Sequence, residues 1–359
     1  GEGGRMRFVA GTTETMNLRG GNVGIGATPQ TWNSAMSAVQ IGGNGAIEAT
    51  TSAGASGELK ILQNAYHSGS AWTKISNDEA SEYIQAGGVH TFGSAASGTG
   101  TFTFTSVAKF DINSRISLSN NDSGTSNTIF GKSAGASLDG SSNYNVFIGE
   151  AVSDASMDAA TYNVGVGYHS LGALTTGDDN VAIGNQSLLA LTTTSDCVAI
   201  GSGALTAVNS DDANGSVAIG RNAGLSITSG QGNIAIGQQA LDAEDDGDFN
   251  TAVGHQALTS QTGTSGEVGN TAVGTQAALS MTKGKHNTAV GLWALYTDDV
   301  GDGSTAIGKS ALYAQNSDSD NEATGNTGVG FNSGLYNVTG RNNTYIGFNA
   351  GTGANGQSN

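Results

Sequence analysis

The pattern of hydrophobic and polar positions is a repeat from about Ser126 onward. A five-residue core returns at intervals of roughly 17 to 22 residues. Its first position is usually Asn, its second is usually Thr or Val, its third is usually Ala, its fourth is usually Val or Ile, and its fifth is Gly. Periods of this size are typical of solenoids and other stacked repeats. The thirteen glycines that end the cores are Gly131, Gly149, Gly167, Gly184, Gly201, Gly220, Gly237, Gly254, Gly274, Gly291, Gly308, Gly330 and Gly347. The sequence therefore predicts a parallel β-solenoid of about 13 repeats.

Each repeat carries a second apolar anchor after its glycine. In most repeats, Ala or Ser followed by Leu lies three or four residues beyond the glycine, as in Ala240-Leu241. The stretch between this leucine and the next core, such as residues 175–179, is rich in Thr, Ser, Asp, Asn and Gly, which are typical of turns. If one repeat makes one turn, the strand spacing predicts a shaft roughly 60 Å long.

Alternation within the core predicts two different faces. Side chains at Thr251 and Val253 point to one face of a strand, and Ala252 points to the other. We expect the β-branched side chains to fill the coil and the small alanine to face outward, where it would let another backbone approach closely. Because a strand that is apolar on both faces needs cover on both, the expected form is a homotrimer.

Two further features of the repeat have structural interpretations. Ile129, Phe147 and Tyr345 occupy the position held elsewhere by Ala or Gly, as expected for atypical end repeats. The asparagine that opens many cores is expected to satisfy backbone groups in the turns and to stack on its counterpart one turn away. These asparagines are Asn145, Asn163, Asn180, Asn233, Asn250, Asn270, Asn287, Asn326 and Asn343.

Residues before about Asn120 have a different texture. Segments 6–9, 58–62, 73–75 and 101–105 resemble short strands separated by Gly and Ser. The sequence therefore predicts two domains, an all-β region over residues 1–120 and the repeat solenoid over residues 121–359.

Composition excludes several classes of protein. The chain has 57 glycines in 359 residues but a single proline, so it is not collagen. A net charge of −17 disfavours binding to nucleic acid or to anionic lipid. With Cys197 alone, no intrachain disulfide can form. No run of about 18 apolar residues is present, so membrane insertion is not expected.

The repeated core resembles a known family. Residues 180–184 (Asn-Val-Ala-Ile-Gly) and 216–220 (Ser-Val-Ala-Ile-Gly) are similar to the head repeat of YadA-type trimeric autotransporter adhesins. This resemblance covers more than half of the chain and implies a trimeric, left-handed parallel β-roll that binds host surfaces and carries no catalytic residues. The repeat of those adhesins is shorter, so larger outward loops are expected here.

The N-terminal region resembles a second group of proteins. Four segments look like parts of bacteriophage tail-fibre proteins, namely residues 5–8, 21–26, 71–76 and 91–93. Many of those proteins end in a self-cleaving chaperone. Residues 348–359 do not resemble that chaperone, so the resemblance implies a fibre from which the chaperone has been removed. The resemblance implies a virion or extracellular fibre whose partners are other fibre or tail proteins and a host cell-surface glycan or protein. A bacterial adhesin head, a glycan-cleaving tail spike and a filament subunit remain alternatives.

Aromatic residues are scarce but cluster in the later repeats. Flat aromatic faces stack on sugars, although Tyr and Trp also fill solenoid corners. The candidate ligand-binding residues are Trp293, Tyr296, Tyr313, Phe331 and Tyr336.

Candidate metal and cofactor sites are weak. The acidic stretches 245–248, 298–302 and 318–320 offer oxygen ligands suited to calcium, but none matches a known calcium loop and solvated turns are favoured. Gly-x-Gly at 24–26 and 165–167 lacks the context of a nucleotide-binding loop. The histidines have no metal-ligand spacing; they are His67, His90, His169, His255 and His286. We therefore expect no cofactor and no catalytic residue.

Overall fold

The protein is all-β and divides into two compact units. The computed structural model describes residues 6–10, 13–19, 22–26, 36–50, 58–67, 71–87, 89–110, 116–117, 126–262, 265–317, 319–320 and 322–352. The units are Gly1–Asn121 and Asp122–Asn359. Within the described residues, the single helical element is the 3₁₀ turn Asp211–Ala213. Arg5, Gly21, Asp318 and the tail after Thr352 lie outside the described residues.

The N-terminal unit contains two sheets. The strands of the larger sheet, in spatial order, are β1 Met6–Ala10, β2 Thr13–Arg19, β3 Asn22–Ile25, β4 Met36–Ile41, β5 Gly45–Thr50, β6 Glu58–Gln63, β9 Ala80–Ala86, β10 Val89–Ala95, β12 Thr105–Phe110 and β13 Ile116–Ser117. Neighbours are antiparallel except β3 and β4, which are parallel. The smaller sheet consists of β7 Ala65–His67, β8 Trp72–Lys74 and β11 Thr101–Phe102. The strands predicted at 6–9 and 58–62 are confirmed, the one at 73–75 is displaced by one residue, and segment 101–105 is divided between β11 and β12.

Alternation along the strands gives the larger sheet one covered face. Ala38, Ala46 and Leu62 are buried on that face and pack with Tyr66 and Trp72. The smaller sheet supplies these aromatic rings, so it lies over the covered face. Successive side chains of a strand point to opposite faces, and the intervening side chains are exposed.

The second unit is a parallel β-solenoid, as predicted. Its main sheet has thirteen strands in parallel register, namely β14 Thr128–Phe130, β15 Val146–Ile148, β16 Val164–Val166, β17 Val181–Ile183, β18 Val198–Ile200, β19 Val217–Ile219, β20 Ile234–Ile236, β22 Thr251–Val253, β24 Thr271–Val273, β25 Thr288–Val290, β27 Thr305–Ile307, β29 Thr327–Val329 and β30 Thr344–Ile346. Two short parallel pairs lie in the turns. They are β21 Gly247–Asp248 with β23 Gly266–Glu267, and β26 Gly301–Asp302 with β28 Glu322–Ala323.

The core strands face the opposite way from the prediction. Ala252 is completely buried, whereas Thr251 and Val253 on either side of it are only half-buried. The second anchor explains this orientation, because leucines such as Leu241 and Leu258 occupy the same interior and leave room for little more than a methyl group. The prediction that Val and Ile fill the coil and that alanine faces outward was therefore wrong.

Large residues at the alanine position are accommodated by glycine on the adjacent turn. Phe147 is completely buried and pairs in register with Gly165. A Cβ at Gly165 would lie 3.2 Å from Cδ1 of Phe147 and 2.6 Å from Cγ1 of Val152, so the aromatic ring fills the volume that a side chain would need. Tyr345, at the other end of the ladder, pairs in register with Gly328, but its ring occupies the space beside Gly334, where a Cβ would lie 2.6 Å from Cδ2 of Tyr345.

The repeat glycines are required by both conformation and contact. Gly254 has φ of +140°, and a Cβ on it would lie 2.4 Å from the carbonyl oxygen of Gly274 in the next turn. The glycine columns of adjacent turns are thus in direct backbone contact, which excludes any side chain. The last one, Gly347, also has positive φ (+119°) but has nothing within 4 Å of the Cβ position.

The asparagines form a hydrogen-bonded ladder, which confirms their structural interpretation. Oδ1 of Asn233 accepts from the backbone N–H of Asn250 at 2.9 Å, and Nδ2 of Asn233 donates to the carbonyl oxygen of Gly247 at 2.8 Å. The amide of Asn233 thus connects one turn to the next and closes a turn of its own, whereas Nδ2 of Asn250 is buried without a hydrogen-bond partner. Cys197 occupies one position of this column, where burial raises the pKa of its thiol to about 11.

Candidate functional site

The outward face of the core strands is a continuous apolar stripe. The third residue of every core strand is Val, Ile or Phe, and these side chains pair in parallel register from turn to turn, as in Ile219 with Ile236. We call this the outer stripe; its members are Phe130, Ile148, Val166, Ile183, Ile200, Ile219, Ile236, Val253, Val273, Val290, Ile307, Val329 and Ile346. Ile183 is 38% exposed and Ile307 40% exposed. Seven of the thirteen side chains are exposed and the other six, among them Ile236 and Val253, are half-buried, so the stack presents a partly water-accessible apolar column along its length.

The predicted aromatic residues are separated into columns. Tyr296 and Tyr313 stack with their ring centroids 5.1 Å apart and an interplanar angle of 4°. Trp293 and Phe331 are linked through Lys309, whose Nζ lies 5.5 Å from each ring. Such cation–π contacts hold a positive charge between two aromatic faces.

The column around Lys309 contains a residue that was not predicted. Phe348 is 74% exposed and stacks on Phe331 with a centroid separation of 5.3 Å. Lys309, Phe331 and Phe348 each follow a repeat glycine directly, so aligning the repeats on their glycines would have placed all three in one column. Tyr336 is more than half exposed at a different repeat position. We call Trp293, Lys309, Phe331 and Phe348 the aromatic column.

Two of the acidic residues lie inside the coil rather than in solvated turns. Glu244, which the sequence analysis did not single out, and Asp298 are both completely buried, and they occupy the same repeat position. Burial raises the pKa of both carboxyl groups. Asp298 accepts from Oγ of Ser317 at 2.9 Å and from Nε2 of Gln315, so both of its oxygens are bonded. The expectation of a solvated turn was wrong for Asp298.

The buried acids do not have the spacing of a glycosidase pair. Glu244 and Asp298 lie three turns apart, which is about 14 Å at the spacing of neighbouring strands. Paired acids that cleave glycosidic bonds lie roughly 5 to 9.5 Å apart. These two carboxyl groups therefore cannot flank one scissile bond.

The N-terminal unit contains buried charged groups beneath the smaller sheet. Nζ of Lys60 lies 2.8 Å from Oε2 of Glu58 and 3.6 Å from Oε1 of Glu48. Glu82 pairs in register with Gly93, where a Cβ would lie 2.8 Å from Oε1 of Glu82, so the glycine makes room for this carboxyl group. Burial raises the pKa of Glu82 to about 7, and the charge on Lys60 offsets only part of that effect.

Acidification should therefore stabilise the N-terminal unit. The folded state binds more protons than the unfolded state between the ordinary pKa of glutamate, 4.5, and about 7, so the free energy of unfolding rises as pH falls through this window. The expected slope is at most about 1.4 kcal/mol per pH unit from this group. Urea unfolding at several pH values measures it. Glu82→Gln should flatten the slope, whereas the exposed Glu79→Gln should leave it unchanged; equal slopes in the two variants would refute this assignment.

The other weak motifs have structural explanations. Gly165 of the Gly-x-Gly segment faces the interior beside Phe147. His286 lies 3.8 Å from Oε1 of Glu267 at the surface, and His169 packs edge-on against Tyr168. Within the described residues, the group of side chains suited to a metal ion is Glu244, Asp245 and Asp246.

Comparison with known proteins gives no assignment for this arrangement. No protein-family model matches the chain, and the searches of curated proteins and of solved structures gave no match. No helix within the described part of the chain is long and apolar enough to cross a membrane. Functional inference therefore depends on the surfaces of the solenoid.

Proposed function

We propose that the protein is a non-enzymatic, homotrimeric fibre that attaches a phage tail, or a similar extracellular appendage, to a host cell surface. The outer stripe is the observation that carries this proposal. An apolar column with a Val, Ile or Phe on every one of thirteen turns is a large apolar surface for a protein of net charge −17. Assembly would remove this surface from water.

A second copy of the chain is the occupant that best fits the outer stripe. A partner must match side chains that repeat at the strand spacing of about 4.8 Å, and another copy has that period by construction. Thirteen three-residue strands present roughly 60 Å by 10 Å, about 600 Å² per copy, which approaches the ~800 Å² per partner of a stable interface. Closed symmetry with three copies would bury the stripes around one axis and leave the turns outside.

The observed orientation of the core strands changes which residues would lie between copies of a trimer. The sequence interpretation placed alanine at the interface between copies, but Ala252 and its counterparts are interior. The residues offered to a partner are instead Val, Ile and Thr, whose branched side chains interdigitate well across a pleated surface. The proposed trimer therefore depends on the outer stripe.

The aromatic column is the proposed host-binding surface, and a saccharide is the ligand class. Aromatic rings stack on the apolar faces of sugar rings, and the ammonium group of Lys309 between Trp293 and Phe331 suits acidic groups or hydroxyl oxygens of a glycan. Because the column continues over adjacent turns to Phe348, it fits an extended chain better than a single sugar.

Binding to bacterial surface polysaccharides on an array tests this role. The double variant Trp293→Ala, Phe331→Ala should lose roughly 5- to 150-fold in affinity, because two contacts with aromatic rings at about 0.5 to 1.5 kcal/mol each contribute about 1 to 3 kcal/mol. The control is Tyr144→Ala, which removes a stacked pair with Tyr162 elsewhere on the solenoid and should bind normally. Unchanged binding by the double variant would contradict the proposed surface, and release of new reducing ends would contradict the non-enzymatic role.

A further inference from the structure

The turn containing residues 244–248 is held rigidly between its neighbours. The carbonyl oxygen of Asp245 accepts from the backbone N–H groups of Thr228 and Ser229 in the preceding turn at 2.8 and 3.2 Å. Oδ1 of Asp248 accepts from the N–H of Gln231 at 2.8 Å, and β21 pairs with β23 of the following turn. The acidic side chains of this turn are thus presented by a fixed backbone.

Glu244 has one oxygen that makes no hydrogen bond. Its Oε1 accepts from the N–H groups of Gly247 and Asp245 at 2.8 and 3.0 Å. Its Oε2 is fully buried and has no hydrogen-bond partner. A buried carboxylate oxygen without a partner loses its hydration and gains nothing in exchange. Asp298 at the same repeat position has partners for both oxygens, so the two buried acids at this position differ in that respect.

The carboxyl group of Glu244 belongs to a compact acidic group. One carboxylate oxygen from each of Glu244, Asp245 and Asp246 lies within 4.8 Å of the others. Asp246 and Asp248 also line an open pocket of about 220 Å³ together with Asp212, which lies two turns earlier. Glu244 is thus the buried member of this group, Asp246 is half-buried beside the open pocket, and Asp245 is exposed.

The acidic group lacks a protein counter-charge. Within the described part of the solenoid, the ion pairs are Lys132 with Glu150, Lys283 with Asp320 and His286 with Glu267. None of them involves the carboxyl groups of residues 244–248. Within that part of the solenoid, these carboxyl groups therefore have no basic side chain to balance their charge.

We propose that Glu244, Asp245 and Asp246 form a calcium site that fixes this turn of the solenoid. Hard divalent cations take carboxylate oxygens as ligands, and calcium accepts six to eight oxygens at about 2.3 to 2.6 Å in flexible geometry. Three contiguous residues suit such flexible coordination better than the strict octahedron that magnesium requires. Water in the open pocket completes the coordination. Glu244 supplies the buried ligand, and Asp245 and Asp246 close the site from the solvent side.

Calcium titration of the full chain tests the site. Isothermal calorimetry with CaCl₂ at pH 7.5 should show one ion per chain with a dissociation constant of about 0.1 to 1 mM, the range of extracellular calcium modules. Glu244→Gln and Asp246→Asn should each weaken binding at least tenfold. Asp246→Asn alters the half-buried rim of the group, so it reports on binding even if Glu244→Gln disturbs the interior.

The control variant removes an acid of equal charge elsewhere. Asp320→Asn changes an exposed carboxylate that pairs with Lys283 and should leave the calcium affinity unchanged. Chelation should lower the thermal midpoint of the wild-type protein and leave that of Asp246→Asn unchanged. Absence of saturable binding, retention of full affinity in Asp246→Asn, or displacement of calcium by equimolar magnesium would overturn the proposal.

Discussion

Replacing Gly254 by alanine should prevent the solenoid from folding, or destabilise it by more than about 4 kcal/mol. Its φ of +140° is a conformation that costs a side-chain-bearing residue about 1 to 3 kcal/mol. The added Cβ would also lie 2.4 Å from the carbonyl oxygen of Gly274, a backbone atom of the next turn that cannot move without breaking the ladder. Urea unfolding followed by circular dichroism measures the loss.

Gly347 provides the matched control for this substitution. It has the same kind of conformation, with φ of +119°, but nothing lies within 4 Å of its Cβ position. Gly347→Ala should therefore cost only the conformational part, about 1 to 3 kcal/mol. If the two variants were equally stable, contact between the glycine columns would not be the reason for the repeated glycine.

Aspartate substitutions at two adjacent positions of a core strand should distinguish the interior of the coil from its surface. Ala252→Asp would place a carboxylate in a dry interior without a partner, which costs at least about 3 kcal/mol and should abolish the β-sheet signal. Thr251→Asp changes the adjacent, half-buried residue of the outward face and should retain the β-sheet signal, because within one chain the new carboxylate keeps its contact with water, whatever its effect on assembly. Circular dichroism of the two variants is the measurement. The reverse order of damage would mean that alanine faces outward after all.

Much of the solenoid could be predicted from the sequence because the repeat is simple. The period located all thirteen core strands, and the asparagine pattern predicted the ladder seen between Asn233 and Asn250. Strong periodicity works here because every turn must present the same backbone groups to its neighbours. The order of strands in the ladder then follows the order of repeats in the chain.

The direction of the core strands could not be predicted from alternation alone. Alternation separates Ala252 from Thr251 and Val253 but does not say which face is inside. The decision depends on the volume that Leu241 and Leu258 take up in the interior. These leucines adopt positive φ, which is 52° at Leu241. Local propensity disfavours this conformation for a residue with a side chain. The inward direction of the leucines could therefore be seen only in the folded turn.

The candidate site was predicted in part. The aromatic residues were recognised by their local abundance, but their division into columns depends on which repeat position each one occupies. Tyr296 and Tyr313 stack because they hold equivalent positions in adjacent turns. Glu244 escaped attention because an acidic residue next to two aspartates is typical of a solvated turn, and only the packed turn reveals its burial.

The native mass of the particle tests the central claim most directly. Sedimentation equilibrium should give three times the chain mass of 35.7 kDa. The triple variant Ile219→Asp, Ile236→Asp, Val253→Asp places charges on the outer stripe and should sediment at the mass of a single chain or fail to assemble. A stable monomer of the unmodified chain, with the outer stripe exposed to water, would contradict the trimeric fibre.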